Sequence, residues 1–370
     1  MTRVQWKAAF AAVLVGGMVL AARADIRIGQ TVGVTGAVAA TVKESMAGAR
    51  LYLDEVNARG GVHGEKVQLI TLDDAFDVGK AEANARMLIE EQGVLALFMS
   101  RGTPHTEAIY PLLDKHRVAL VAPSTGAMVL HQPVRPYLFH VRATYQREAE
   151  RAMAHLTGLG LQRIAVLHVD DSFGADGLQG ARNGLKKAGL EPVAVARFDR
   201  AKPEFTALLP GLKAAGPQAV LVIGSGTAVV QGLRALRQAG VGAQYLTLSN
   251  NASNGFIQLL GADARGIIVG QVMPTSPAYP LVTQATALAR AQGMDDVSPA
   301  LLEGFAGAKV LVEALRRAGP RPTRASVQQA LDNLGRYDLG GLTLHYHGGS
   351  HSGLEFAELT IIGASGKFQR

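Results

Sequence analysis

Two periods of apolar and polar residues alternate along this chain. Short, nearly continuous apolar runs fall at 26–33, 66–72, 94–99 and 118–122, and again at 163–169, 192–198, 219–224, 244–249 and 266–272. Each predicts a strand buried on both faces. The segments between them have helical spacing. In the first, Val42, Met46, Ala49, Leu53 and Val56 recur every three or four residues and share one helix face. The run "NARGG" then supplies glycines that accept the left-handed backbone of a helix end. Buried strands separated by helices predict parallel sheets covered on both faces, an α/β architecture built twice over. The halves divide near "PYLFHVRAT" (136–144), an extended stretch that leads into a helix from about Tyr145. Two further helical segments, 298–318 and 323–334, and strand-like runs at 341–347 and 354–362 complete the pattern, with no tandem repeat.

A length of 370 residues exceeds one comfortable hydrophobic core, so two lobes are expected. With 48% hydrophobic and 18% charged residues the chain is a folded one with large buried sheets. Arg3 and Lys7 precede an apolar stretch, Ala8 to Ala22, and "ARA" offers small residues for cleavage after Ala24. That stretch is shorter than the roughly 20 residues a membrane span needs. The reading is a cleaved export signal at 1–24 and a periplasmic mature chain, with an uncleaved anchor as the alternative. The sequence has no cysteine, which removes disulfides, thiolate metal sites and a lipid-modified N-terminal cysteine. Loss of Arg3, Lys7 and Arg23 with the leader lowers the formal charge from +7 to +4. The remaining basic residues are scattered, whereas a nucleic-acid binder concentrates them on one face.

Ligands of open α/β sheets bind beyond the carboxyl ends of the strands. The turns there carry "TGAVAA" (35–40), "SRGT" (100–103), "PSTGA" (123–127), "DDSFG" (170–174), "SGT" (225–227) and "SNNAS" (249–253). Small hydroxyl, amide and glycine residues dominate. There is no Ser–His–acid grouping, no paired carboxylates at short spacing and no phosphate-binding glycine loop, so these turns suit holding a small polar ligand rather than reacting it. Ser100 and Thr103 also read as caps of the following helix. Arg101 offers a fork suited to a carboxylate, against the alternative of a surface pair with Glu107 or Asp114.

Three stretches carry a family resemblance. "GARLYLDEVNARGGVHGEKVQLITLDD" (48–74), "RIAVLHVDDSFGADGLQGARNGLKKAGLEPVA" (163–194) and "DRAKPEFTALLPGLKAAGPQAVLVIG" (199–224) resemble, in order, periplasmic solute-binding proteins of the leucine/isoleucine/valine-binding type. The resemblance implies two doubly wound parallel-sheet lobes joined by a three-crossover hinge. The crossings map near 140–144, 271–275 and 342–347, giving lobe one as 25–141 plus 275–341 and lobe two as 142–274 plus 342–370. It implies a ligand carboxylate held at Ser100 and at Ser124, Thr125 and Gly126. Phe173, Ser225, Ser249 and Asn250 would complete the site from lobe two, with Arg101 and Thr103 as further candidates. In the family an acidic residue of lobe two holds the ligand's ammonium; the matching place here is Ser249 or Asn250, neither of them charged. Asp170 or Asp171 is the alternative partner, yet a carboxylate without the amine, or an amide, fits this departure better than a branched-chain amino acid.

The expected function is therefore a monomeric, non-enzymatic binding protein. It would deliver a small polar solute, an amino acid or an amine-free carboxylate or amide, to an ATP-binding cassette permease by hinge closure. A ligand-sensing receptor is the first alternative and an exported α/β oxidoreductase the second. No cofactor and no metal is expected. His345, His347 and His351, with Glu355, are weighed as a zinc site against exposed hinge histidines. "TGAVAA" lacks the later glycines of a dinucleotide turn, Asn251 begins a glycosylation sequon, and Phe305 reads as helix core, with a ligand-facing aromatic as the alternative the resemblance implies.

Overall fold

In the computed structural model, which describes residues 25–347 and 349–369, the alternation becomes two open sheets. The expected leader, 1–24, lies outside the described residues. The first sheet is parallel, ordered β2-β1-β3-β4-β5, from β1 (Ile26–Val32), β2 (Val67–Asp73), β3 (Ala96–Phe98), β4 (Ala119–Val121) and β5 (Leu138–Phe139). Its intervening helices are α1 (Ala39–Ala58), α2 (Val78–Glu90) and α3 (Thr103–His116). The face predicted for the first helix is the buried one: Val42, Met46, Ala49, Leu53 and Val56 all point into the protein.

After α4 (Tyr145–Gly158) the second sheet begins with β6 (Ile164–Val169), α5 (Ser172–Lys187), β7 (Ala194–Phe198), α6 (Leu209–Ala214) and β8 (Ala219–Ile223). It continues through α7 (Thr227–Gln238), β9 (Gln244–Thr247), α8 (Asn254–Leu260) and β10 (Ile268–Gln271). The chain returns to the first sheet with α9 (Pro280–Ala291), α10 (Pro299–Arg317) and α11 (Arg324–Asp332), then a hairpin of β11 (Gly335–Asp338) and β12 (Thr343–Tyr346). Last come β13 (Glu358–Ile362) and β14 (Phe368–Gln369), giving the order β14-β13-β10-β9-β8-β6-β7.

Two features depart from the all-parallel expectation. β13 runs antiparallel to β10, and β14 antiparallel to β13. A five-residue turn joins β13 to β14, and a connection that short permits only antiparallel pairing. The run at 341–347 does not carry the chain into the second lobe. Leu344, Tyr346 and Leu354 pack in the same core as Phe139 and Leu302, and Leu354 N–H donates to Val141 O at 2.8 Å. We therefore place the third crossing at 355–357 rather than at 342–347. At the other crossings, Val141 and Met273 pack in the first core and Tyr145 and Val269 in the second.

Candidate functional site

β3 and β4 are neighbours in register, Phe98 opposite Val121, and both end in a residue with left-handed backbone: Met99 at φ 56° and Ala122 at φ 54°. Such a conformation costs a side-chain-bearing residue about 1–3 kcal/mol and persists where the surroundings over-determine it. Here it turns both chains the same way, so that 100–101 and 124–125 run side by side; Ser124 N–H donates to Ser100 O at 2.7 Å. Gly102 follows at φ 96°, and a Cβ there would lie 2.5 Å from His105 Nδ1, so the position demands glycine.

The hydroxyls do not cap α3 as expected. Its N-cap is Gly102, with no side-chain cap. Ser100 Oγ instead meets Thr106 Oγ1 at 3.1 Å, and Thr103 Oγ1 meets Thr125 Oγ1 at 2.7 Å, tying the two turns together. Gly126 packs on the first crossing, its carbonyl accepting from Tyr145 N–H at 2.9 Å.

Arg101 is not a surface residue. It is 4% exposed and pairs with neither Glu107 nor Asp114. Its Nη2 donates across to Asn250 O at 2.5 Å, its Nη1 lies 3.5 Å from Ser124 Oγ, and its buried Nε has no partner. None of the ion pairs among the described residues includes it. Burial accordingly pushes its pKa below the ordinary arginine value.

A second buried arginine, Arg142 at 1% exposure, behaves in the opposite way. It is ion-paired with Glu148, donates to Ser249 Oγ at 2.6 Å, and its Nη1 lies 3.8 Å from Glu303. Its guanidinium lies over the Tyr145 ring, 4.5 Å from the centroid. Burial opposes its charge, but the neighbouring acids outweigh burial and raise its pKa. Glu148 Oε2 accepts from Ser249 N–H at 2.8 Å and Glu303 Oε1 from Ser124 Oγ at 2.9 Å. Burial raises the Glu148 pKa against the pull of Arg142.

Arg142, Glu148 and Glu303 were not among the expected site residues. A trace of signal exists: Arg142 is a lone charge in "LFHVRAT", and Glu303 is the lone charge in "PALLEGFAGA". A single charge in an otherwise apolar run marks a side chain that needs a buried partner.

Lobe two brings Ser225, Ser249 and Asn250 to this cluster. Asn250 Nδ2 bonds Gly224 O at 2.8 Å and Ser225 Oγ at 3.0 Å. Phe173 instead packs on the Tyr145 ring in the second core, with centroids 4.6 Å apart. The lobes also touch directly around the cluster. Thr41 Oγ1 meets Ser253 Oγ at 2.8 Å, Glu44 accepts from the N–H groups of Asn254 and Gly255, and Ser172 Oγ donates to Glu107. Gly226, at φ 53°, lies so close to lobe one that a Cβ would stand 1.8 Å from Ala37 O. Phe76 stacks on His105, and the Arg200 guanidinium lies over the Phe76 ring, 5.0 Å from its centre.

A profile of the periplasmic binding protein family matches residues 25–354. The chain belongs to that family. It is a type I periplasmic binding protein of the leucine/isoleucine/valine-binding group, with the two-lobed α/β fold of its structural neighbours. An "Amino acid binding protein" of Pseudomonas aeruginosa is 26% identical over 275 residues, 70% of this chain and 72% of that one. A "Leu/Ile/Val-binding protein homolog 7" of Brucella abortus is 27% identical over 330 residues, 84% of this chain and 81% of that one. Among solved structures, a substrate-binding periplasmic protein from Ralstonia solanacearum superposes with a TM-score of 0.85 at 33% identity, covering 93% of this chain and 99% of that one.

Within this periplasmic binding protein the other motifs find structural explanations. His345 and His347 lie side by side with ring centroids 5.2 Å apart, but His351 is buried rather than exposed, bonded to Asp332 at 2.9 Å. Among the described residues no group of three or more His, Asp or Glu side chains is placed to hold a metal. Asn251, the sequon residue, is fully buried, and its Nδ2 donates to Gly224 O and Thr247 Oγ1. Phe305 is core, edge-on to Tyr52.

Proposed function

We propose that this periplasmic binding protein captures a small solute bearing a carboxylate between its lobes and hands it to an ATP-binding cassette permease. Closure is a hinge motion about the three crossings. The carrying observation is Arg101, a buried guanidinium at the junction of both lobes that lacks an ion-pair partner and leaves Nε unbonded. A buried cation without an anion costs several kcal/mol, and a carboxylate docked against it offsets that cost. The amino-acid binders among the relatives support a solute of this size.

Binding alone is sufficient for such a role. The hydroxyls of the turns bond other hydroxyls, carboxylates, the Asn250 amide or Arg142, and none bonds an imidazole base. Micromolar affinity requires about 8 kcal/mol, and charge-assisted hydrogen bonds contribute roughly 1.5–3 kcal/mol each. Three or four of them with some apolar burial reach that figure.

The test is a thermal-shift series on the mature protein with small carboxylates and their primary amides. Binding to the native state raises the melting temperature with ligand concentration. The proposal expects carboxylates to raise it and the matching amides not to. Amides that stabilise as strongly as the acids contradict it.

A further inference from the structure

We infer that the site selects acids lacking an amine, and that Arg101 sets this selectivity by holding the place on lobe two that a ligand ammonium requires. The inference rests on the carboxylate-capture reading. It concerns the 3-10 turn Ser249–Asn251, which follows β9 and faces Arg101.

That turn carries no anion for a cation, and Asn250 Oδ1 is its one buried side-chain acceptor without a partner. Its side chains are neutral, and the Asn250 carbonyl already accepts from Arg101 Nη2 at 2.5 Å. Of the two nearby acids, Glu148 is bonded on both oxygens and Glu303 is engaged through Oε1. Glu148 is held by Arg142 on one oxygen and by Ser249 N–H on the other. Glu303 accepts from Ser124 and lies 3.8 Å from Arg142.

The buried polar atoms left without partners point the same way. In this cluster they are Arg101 Nε, Arg142 Nη1 and Asn250 Oδ1, so two of the three are donors on permanent cations. An anion docked beside Arg101 completes those donors, whereas an ammonium brought to the same place meets two buried guanidinium groups. Like charges at short range in a poorly screened interior repel strongly.

The experiment is calorimetric titration of the mature protein with three matched pairs: leucine and 4-methylpentanoate, phenylalanine and 3-phenylpropanoate, glutamate and glutarate. In at least one pair the amine-free acid is expected to bind about tenfold or more tighter than its amino acid, a gap of one logarithmic unit in Kd. Amino acids that bind as tightly as their partners, or tighter, overturn the inference and leave carboxylate capture standing. Silence from all six overturns both. Arg101→Gln, checked for folding by circular dichroism, is expected to bring the acid's affinity down to that of its amino acid. A folded variant that keeps the preference removes Arg101 from the role; should the variant not fold, the wild-type pairs decide alone.

Discussion

Replacing Arg142 by methionine tests the buried charge network in the ligand-free protein. The substitution keeps most of the apolar stem and removes the cation, leaving Glu148, 2% exposed, without its ion pair. A charge pair about 4 Å apart at an effective dielectric of about 20 is worth about 4 kcal/mol, and breaking one member of a buried pair typically costs about 3–5 kcal/mol. The cost has a pH signature. Without Arg142 only the hydrogen bonds from Ser249 oppose the burial that raises the Glu148 pKa. A carboxyl whose folded pKa exceeds its unfolded value is destabilising when ionised, so the penalty grows as pH rises through the folded value and shrinks in acid. Urea unfolding of Arg142→Met at neutral pH and near pH 5 is therefore expected to show a loss of about 3–5 kcal/mol at neutral pH and a clearly smaller one in acid. Arg142→Met with Glu148→Leu is expected to lose less than the single variants together, because no ionised carboxylate stays behind. Additive losses, or a penalty independent of pH, refute the account of the network.

Three further outcomes are expected. Gly226→Ala forces a Cβ to 1.8 Å from Ala37 O on the other lobe, so it is expected to disfavour closure, weaken ligand binding by about tenfold or more, and increase the radius of gyration in small-angle scattering. His140 is buried with a pKa lowered to about 4 by desolvation. Because its unfolded pKa is about 6.5, the stability tied to its neutral form is complete above that pH and falls by about 3 kcal/mol as pH drops towards 4; the stability difference between wild type and His140→Asn, measured across this range, is expected to change by that amount. Glu44→Ala removes the acceptor for the Asn254 and Gly255 N–H groups across the lobes, a capping contact worth about 0.5–2 kcal/mol; ligand affinity is expected to fall while the thermal midpoint of the ligand-free protein changes little.

The strand–helix rhythm was plain in the sequence because β3, β4 and β8 are buried on both faces and read as unbroken apolar runs. β14 was less legible, being two residues long at the sheet edge, and the antiparallel pairing of β13 with β10 is set by tertiary structure. The turns after the strands were recognised from their small polar residues, but which hydroxyl bonds which was not, since Thr103 and Thr125 meet through the left-handed turns at Met99 and Ala122. Arg101 read as well as a surface residue as a buried one because a local window shows charge without depth. Arg142 and Glu148 lie six residues apart at the first crossing while Glu303 comes from α10, and no spacing rule connects that helix to the crossing.

A crystal structure of the protein with its best-stabilising small carboxylate tests the central claim most directly. The account predicts a carboxylate oxygen within about 2.7–3.2 Å of an Arg101 guanidinium nitrogen, with Ser249 and Asn250 covering the ligand from the second lobe. A solute seated between the lobes whose carboxylate points away from Arg101, or one bound outside the gap altogether, contradicts it.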